Sequence, residues 1–210
     1  HVLDRVWSQH GQRLGELVRY ADDFVVMCRT AQGCEESQRR IEHVLSKLGL
    51  KLHPQKTRRV ELSGGREGFD FLGCHLHKRM SRRLWQQKGL RRYYLQRWPG
   101  RKAMNRVRER VRELTPRGRC HQDVRSVIAE LNPVLRGWGQ YFQTGNAADH
   151  FTDVDDYVVK RLRGLRIKRA GRSLRAGQTQ RWDRDYFESL GLHRLRGTIR
   201  YPGKPPGNRR

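Results

Sequence analysis

Tyr20-Ala21-Asp22-Asp23 sets two carboxylates side by side between the apolar runs Leu17-Val18 and Phe24-Val25-Val26-Met27. The flanks read as two short strands and the aspartates as the turn that joins them. Adjacent like charges repel, and each favours a cation. Magnesium, hard and oxygen-seeking, is the natural neutraliser. Carboxylate-held magnesium in a very basic chain points to phosphoryl transfer on nucleic acid. Aspartate is common in ordinary turns as well. A merely solvated turn, however, has no need to emerge from a run such as Phe24 to Met27.

The elements that must hold this tip follow from periodicity. After the 17–28 hairpin, Cys34, Gln38, Ile41, Leu45 and Leu48 recur at helical spacing, and Gly49 ends a helix over 31–49. Short strands are expected at 50–52 and 59–62, separated by a loop at Pro54. Residues 69–74 return as the partner of 59–62 across a Gly-rich turn. The order describes an α+β layer: a partial antiparallel sheet with a helix on one face. From about residue 80 the texture becomes helical. Met104, Val107, Val111 and Leu114 mark one stripe, and Val124, Val127, Ile128 and Leu131 another. Asn132-Pro133 is expected to restart the helix as N-cap and first turn. A further helix is expected near Asp153, with Asp153, Asp155 and Asp156 in its first turn and Lys160 to Arg169 behind them.

The charge is lopsided. The chain of 210 residues carries a net +25. Residues 1–78 hold 13 basic and 10 acidic residues, against 33 and 11 in 79–210, so the second part alone carries +22. Arginine dominates, with 37 of the 46 basic residues, and arginine forks onto phosphate and stacks on bases. A polyanionic partner is implied, and nucleic acid suits it better than a membrane. No apolar run is long enough to span a bilayer, and a cytoplasmic location is expected. Cys28, Cys34, Cys74 and Cys120 show no paired spacing, so neither zinc nor a disulfide framework is suggested. His75 and His77 would share a strand face, but two ligands are too few for structural zinc.

Three blocks now stand in order: Tyr20-Ala21-Asp22-Asp23; Leu48-Gly49-Leu50-Lys51-Leu52-His53-Pro54-Gln55-Lys56-Thr57; and Phe69-Asp70-Phe71-Leu72-Gly73. They closely resemble the reverse transcriptases encoded by group II introns. A fourth block, Leu135-Arg136-Gly137-Trp138-Gly139-Gln140-Tyr141-Phe142, resembles the maturase domain of that family. The resemblance implies the C-terminal half of a palm at 1–78 and a helical thumb and maturase region at 79–171; residues 172–210 have no counterpart in it and read from their composition as a basic extension, partly disordered. It implies an RNA-directed DNA polymerase and maturase whose partners are group II intron RNA, a DNA primer or target, and dNTP.

By the same resemblance, Asp22 and Asp23 are catalytic carboxylates for Mg2+ and Lys56 assists at the triphosphate. Tyr20, Ala21, Leu72 and Gly73 support the nucleic acid. Arg136, Lys160, Arg161, Arg163, Arg166, Lys168, Arg169 and Arg172 grip RNA. Trp138 and Tyr141 lie on an apolar helix face and are expected mainly in the core. The palm strand that bears a further metal-binding Asp has no match, and Asp4 stands in a different context. The chain is therefore expected to be a piece of a longer protein, inactive alone as a polymerase. The alternative is a non-enzymatic maturase that binds RNA and assists splicing.

Overall fold

The computed structural model describes residues 2–171, 174 and 177–200. The chain divides into two compact units, His1–Leu72 and Gly73–Arg210. Both helix and antiparallel strand are present, so the α+β reading holds.

In the first unit, α1 (Val2–His10) leads into the hairpin of β1 (Gly15–Tyr20) and β2 (Asp23–Cys28), followed by α2 (Ala31–Ser46). The hairpin register runs from Gly15↔Cys28 to Tyr20↔Asp23 and leaves Ala21 and Asp22 as a two-residue loop. Strand alternation turns Leu17, Phe24 and Val26 to one face. There they pack against Leu3 and Trp7 of α1 and Ile41 of α2, the three buried residues of this unit's core. The Trp7 indole donates to the Gly15 carbonyl at 3.0 Å, tying α1 to the start of β1. Thr30 caps α2 by accepting from the Gly33 amide at 3.0 Å.

Residues 50–52 and 59–62 are not strands, a correction to the expected order. Their polar groups are satisfied elsewhere. Arg59 donates to Glu35 and Gln38 of α2 at 2.9 and 2.8 Å, and the Glu61 amide donates to the Glu67 carboxylate at 3.1 Å. An alternating pattern thus lies along a helix instead of entering a ladder. The strand after it is β3 (Gly68–Phe71).

In the second unit, β4 (Cys74–Met80) and β5 (Tyr93–Pro99) form an antiparallel pair, with α3 (Arg82–Lys88) in the connection. Three long helices follow: α4 (Arg101–Leu114), α5 (Val124–Phe142) and α6 (Ala148–Ala170), with the short α7 (Arg184–Ser189) near the end. Val111, Leu131, Leu135, Phe151, Val154 and Leu162 are fully enclosed between them. Burial of each such side chain is worth about 1.5–3 kcal/mol.

Two helix boundaries correct the sequence reading. Asn132-Pro133 does not restart a helix: α5 runs through Pro133. Leu131 and Leu135, both fully buried, hold the helix on either side of the missing amide. The Asn132 side chain is not a cap. It donates to the Gly191 carbonyl and accepts from the His193 amide, each at 2.8 Å. α6 begins at Ala148, so Asp149, not Asp153, lies in its first turn. Asp155 faces the interior and is 5% exposed. Among the described residues no helix is long and apolar enough to cross a membrane. Arg172 and the 201–210 tail lie outside the described residues.

Candidate functional site

Asp22 occupies the loop of the β1–β2 hairpin and Asp23 the first strand position after it; both are exposed. The register sets Asp23 on the face turned away from α1 and α2, together with Val18, Tyr20 and Met27. Tyr20 is 67% exposed there. A carboxylate pair therefore stands at the end of an uncovered, partly apolar sheet face. That suits a substrate laid across the sheet better than a pocket. Two depressions in this unit, of about 370 and 460 Å³, are lined by other residues.

The loop is strained. Ala21 has φ +51°, in the left-handed region that costs an L-residue roughly 1–2 kcal/mol. Arg19, on the opposite sheet face, braces it. Its guanidinium donates to the Ala21 carbonyl at 2.7 Å and to both oxygens of Asp4 at 2.8 and 2.5 Å. The Asp4 carboxyl is pulled down to about 2 by these bonds from Arg19. Asp4 is thus an anchor for the bracing arginine. Sequence reasoning missed this role because the partners lie fifteen residues apart.

The donor chemistry at the tip is carboxylate oxygen, which fits a hard divalent cation. Arg19 is near enough to feel the charge of Asp22, while three of its N–H groups bond Asp4 and Ala21. Among the described residues no group of three or more His, Cys, Asp or Glu could hold a metal. Lys56 is exposed in the turn after His53. Leu72 and Gly73 both have positive φ, +48° and +74°, as a two-residue turn requires. Ala21 and Leu72, both expected to meet nucleic acid, are the two non-glycine residues of positive φ among those described.

In the second unit the expected RNA-contacting residues separate into two groups. Arg136, Lys160, Lys168 and Arg169 are exposed, although Arg169 also donates to the Gln122 carbonyl at 3.3 Å. Arg161 instead bonds the Thr115 hydroxyl at 2.9 Å and the Thr115 carbonyl, and Arg163 donates to the Trp182 carbonyl at 2.8 Å. Arg166 lies over the Trp182 ring at 5.5 Å. These three help to join α6 to its neighbours. Trp138 packs on Phe142 and Phe151, at 4.9 and 5.3 Å between ring centres, while Tyr141 is 57% exposed. One of the two glycines in this block has a steric reason: a Cβ at Gly139 would stand 2.6 Å from the Leu195 side chain, whereas Gly137 faces open space. The Asp155 carboxylate accepts from the Leu195 and Arg196 amides, both at 3.0 Å, and so clasps the same segment. Burial pushes its carboxyl above the ordinary value, against the opposing pull of those two bonds.

Comparison with known families accounts for both halves of this arrangement. Residues 2–76 match the reverse transcriptase (RNA-dependent DNA polymerase) family, and residues 104–182 match the group II intron maturase-specific domain. A polymerase module followed by a maturase module defines the class. The chain belongs to the group II intron reverse transcriptase/maturase family. No curated protein matched it in the search made.

Proposed function

We propose that the chain contributes the carboxylate-bearing part of a nucleotidyl-transfer site and an intron-RNA-binding arm. The observation that carries the first part is the tip itself: Asp22 and Asp23, adjacent and exposed, at the strained Ala21-Asp22 loop and the strand position after it, braced from behind by Arg19. Magnesium bound there would supply charge neutralisation for an attacking primer hydroxyl and a departing pyrophosphate. The residues of this chain hold and aim it. Asp22 and Asp23 offer the oxygens, Tyr20 and Ala21 support the primer end, and Leu72 and Gly73 support the strand beyond. Lys56 is assigned to the triphosphate, where its ammonium can give a proton to the leaving group. Two carboxylates do not satisfy two octahedral ions. The 210 residues alone are therefore expected to bind Mg2+ weakly and not to extend a primer.

The test has two arms. Manganese, as a paramagnetic probe, should bind the chain at a site lost in Asp22→Asn and Asp23→Asn. In a primer-extension assay the isolated chain should make no product. DNA synthesis by it, abolished by Asp22→Ala, would overturn the second statement.

The non-enzymatic reading, a maturase that folds or steadies intron RNA, draws on the +22 charge of residues 79–210. Arg136, Lys160, Lys168 and Arg169 offer exposed cations for phosphate, with Arg161, Arg163, Arg166 and Arg172 assigned beside them. With about 6–10 phosphate contacts, affinity should fall by two or more decades between 50 and 200 mM salt. Metal-dependent nucleotide incorporation separates the readings, since the second forbids it even when the rest of the palm is present.

A further inference from the structure

The stretch from residue 71 to residue 108 contains twelve Lys and Arg and no acidic residue. It is also where exposed rings gather: Trp85, Tyr93 and Tyr94 are 41%, 37% and 46% exposed. An arginine-rich stretch with uncovered aromatic rings and no carboxylate of its own is matched by a polyanion that has flat faces, with Asp149 and Asp153 of α6 coming near only at the His150 end.

The β4–β5 register shows how these groups are presented. Arg79 pairs with Tyr94, His77 with Gln96 and His75 with Trp98, so all six side chains stand on one sheet face. At one end Trp98 is packed: His75 lies 5.1 Å and His77 6.0 Å from it, and His150 of α6 stacks on it at 6.2 Å and 21°. Arg79 reaches along the sheet to lie 4.5 Å over the same ring. The guanidinium is thereby oriented before any ligand arrives. At the other end Tyr94 is open.

We propose that this β4–β5 face, from Trp98 to Tyr94, is a docking surface for an unpaired RNA strand. One base stacks on Tyr94, and Arg79, steadied by Trp98, meets an adjoining phosphate. A sheet face with aromatic rings takes splayed single-stranded bases, whereas a duplex hides its base faces. The inference rests on the RNA-binding reading above and narrows it to a surface and to the state of the bases. It moves part of the contact away from α6, where Arg161 and Arg163 are committed to Thr115 and Trp182.

The experiment uses the 210-residue chain with a labelled, unstructured RNA of about 12 nucleotides, within the usual site size, and a duplex of the same sequence, read by fluorescence anisotropy. Tyr94→Ala should weaken the single strand about tenfold or more and leave the duplex within about twofold. Tyr94→Phe should bind as the parent does, since the ring is kept. Arg79→Gln should lower the salt slope by about one. Tyr94 is exposed, so these changes leave the core intact. Equal loss on both RNAs, no loss on either, or transfer of the effect to Tyr141→Ala would overturn the proposal. A parent chain that binds neither RNA would remove the RNA-binding reading with it. A parent that binds while Tyr94→Ala is indifferent would remove this surface alone.

Discussion

Replacing Asp155 tests whether a buried carboxylate closes the maturase unit. Its oxygens accept from the Leu195 and Arg196 amides at 3.0 Å each, and the residue is 5% exposed. Asp155→Ala leaves two amides without acceptors, at about 1–3 kcal/mol apiece. Relief of the buried charge offsets part of this, because desolvation outweighs the bonds in setting the direction of the pKa shift. The expected net loss is about 2–4 kcal/mol. Urea unfolding followed by tryptophan fluorescence measures it, with the denaturant slope unchanged. Asp155→Asn keeps one acceptor and should lose about half as much. Asp156→Ala is the control: that residue is exposed and pairs only at the surface with Arg184, so its loss should stay under about 1 kcal/mol. Equal effects at 155 and 156 would refute the clasp. The pH dependence has a definite sign. A folded-state pKa raised above 3.8 gives a contribution present below that value and lost as pH rises through the folded one. The parent should therefore lose stability relative to Asp155→Asn as pH climbs from about 4.

Other outcomes follow from the first unit and from α5. Gly11→Ala would drive a Cβ to within 2.3 Å of the Trp7 ring and should cost about 1–3 kcal/mol, visible as a lowered unfolding midpoint. Gly139→Ala, 2.6 Å from the Leu195 side chain, should destabilise the other unit on the same scale. Arg19→Met should return the Asp4 carboxyl from about 2 toward 3.8 in a carbon-detected NMR titration. Because the Asp4 value is depressed, its contribution is present above 3.8 and is lost as pH falls toward 2. The same change should quicken hydrogen exchange at the Ala21 loop, and unchanged exchange would separate Arg19 from tip support.

The hairpin and α2 were legible because their patterns are local. Apolar alternation fixed the strands, and helical spacing with Gly49 beyond the end fixed the helix. What stayed hidden was non-local. Arg59-Val60-Glu61-Leu62 alternates like a strand, but Arg59 finds Glu35 and Gln38 on α2 instead of a ladder. Pro133 reads as a break, yet buried leucines on both sides carry α5 past it. Asp155 reads as a helix-dipole residue, and only the return of residues 195–196 reveals its partners. The β4–β5 pair was veiled by its arginines, whose alternation between faces shows only once the register is known. Of the site, the aspartate pair could be read directly, while its brace through Arg19 and Asp4 could not.

Among the described residues the two units differ sharply in apolar interior: three buried hydrophobic residues in the smaller, some twenty in the larger. A domain with so thin an interior opens more readily and tolerates fewer damaging changes. The first unit is therefore the part of this chain expected to exchange its amides first and to lose structure first in urea, with the helical unit outlasting it.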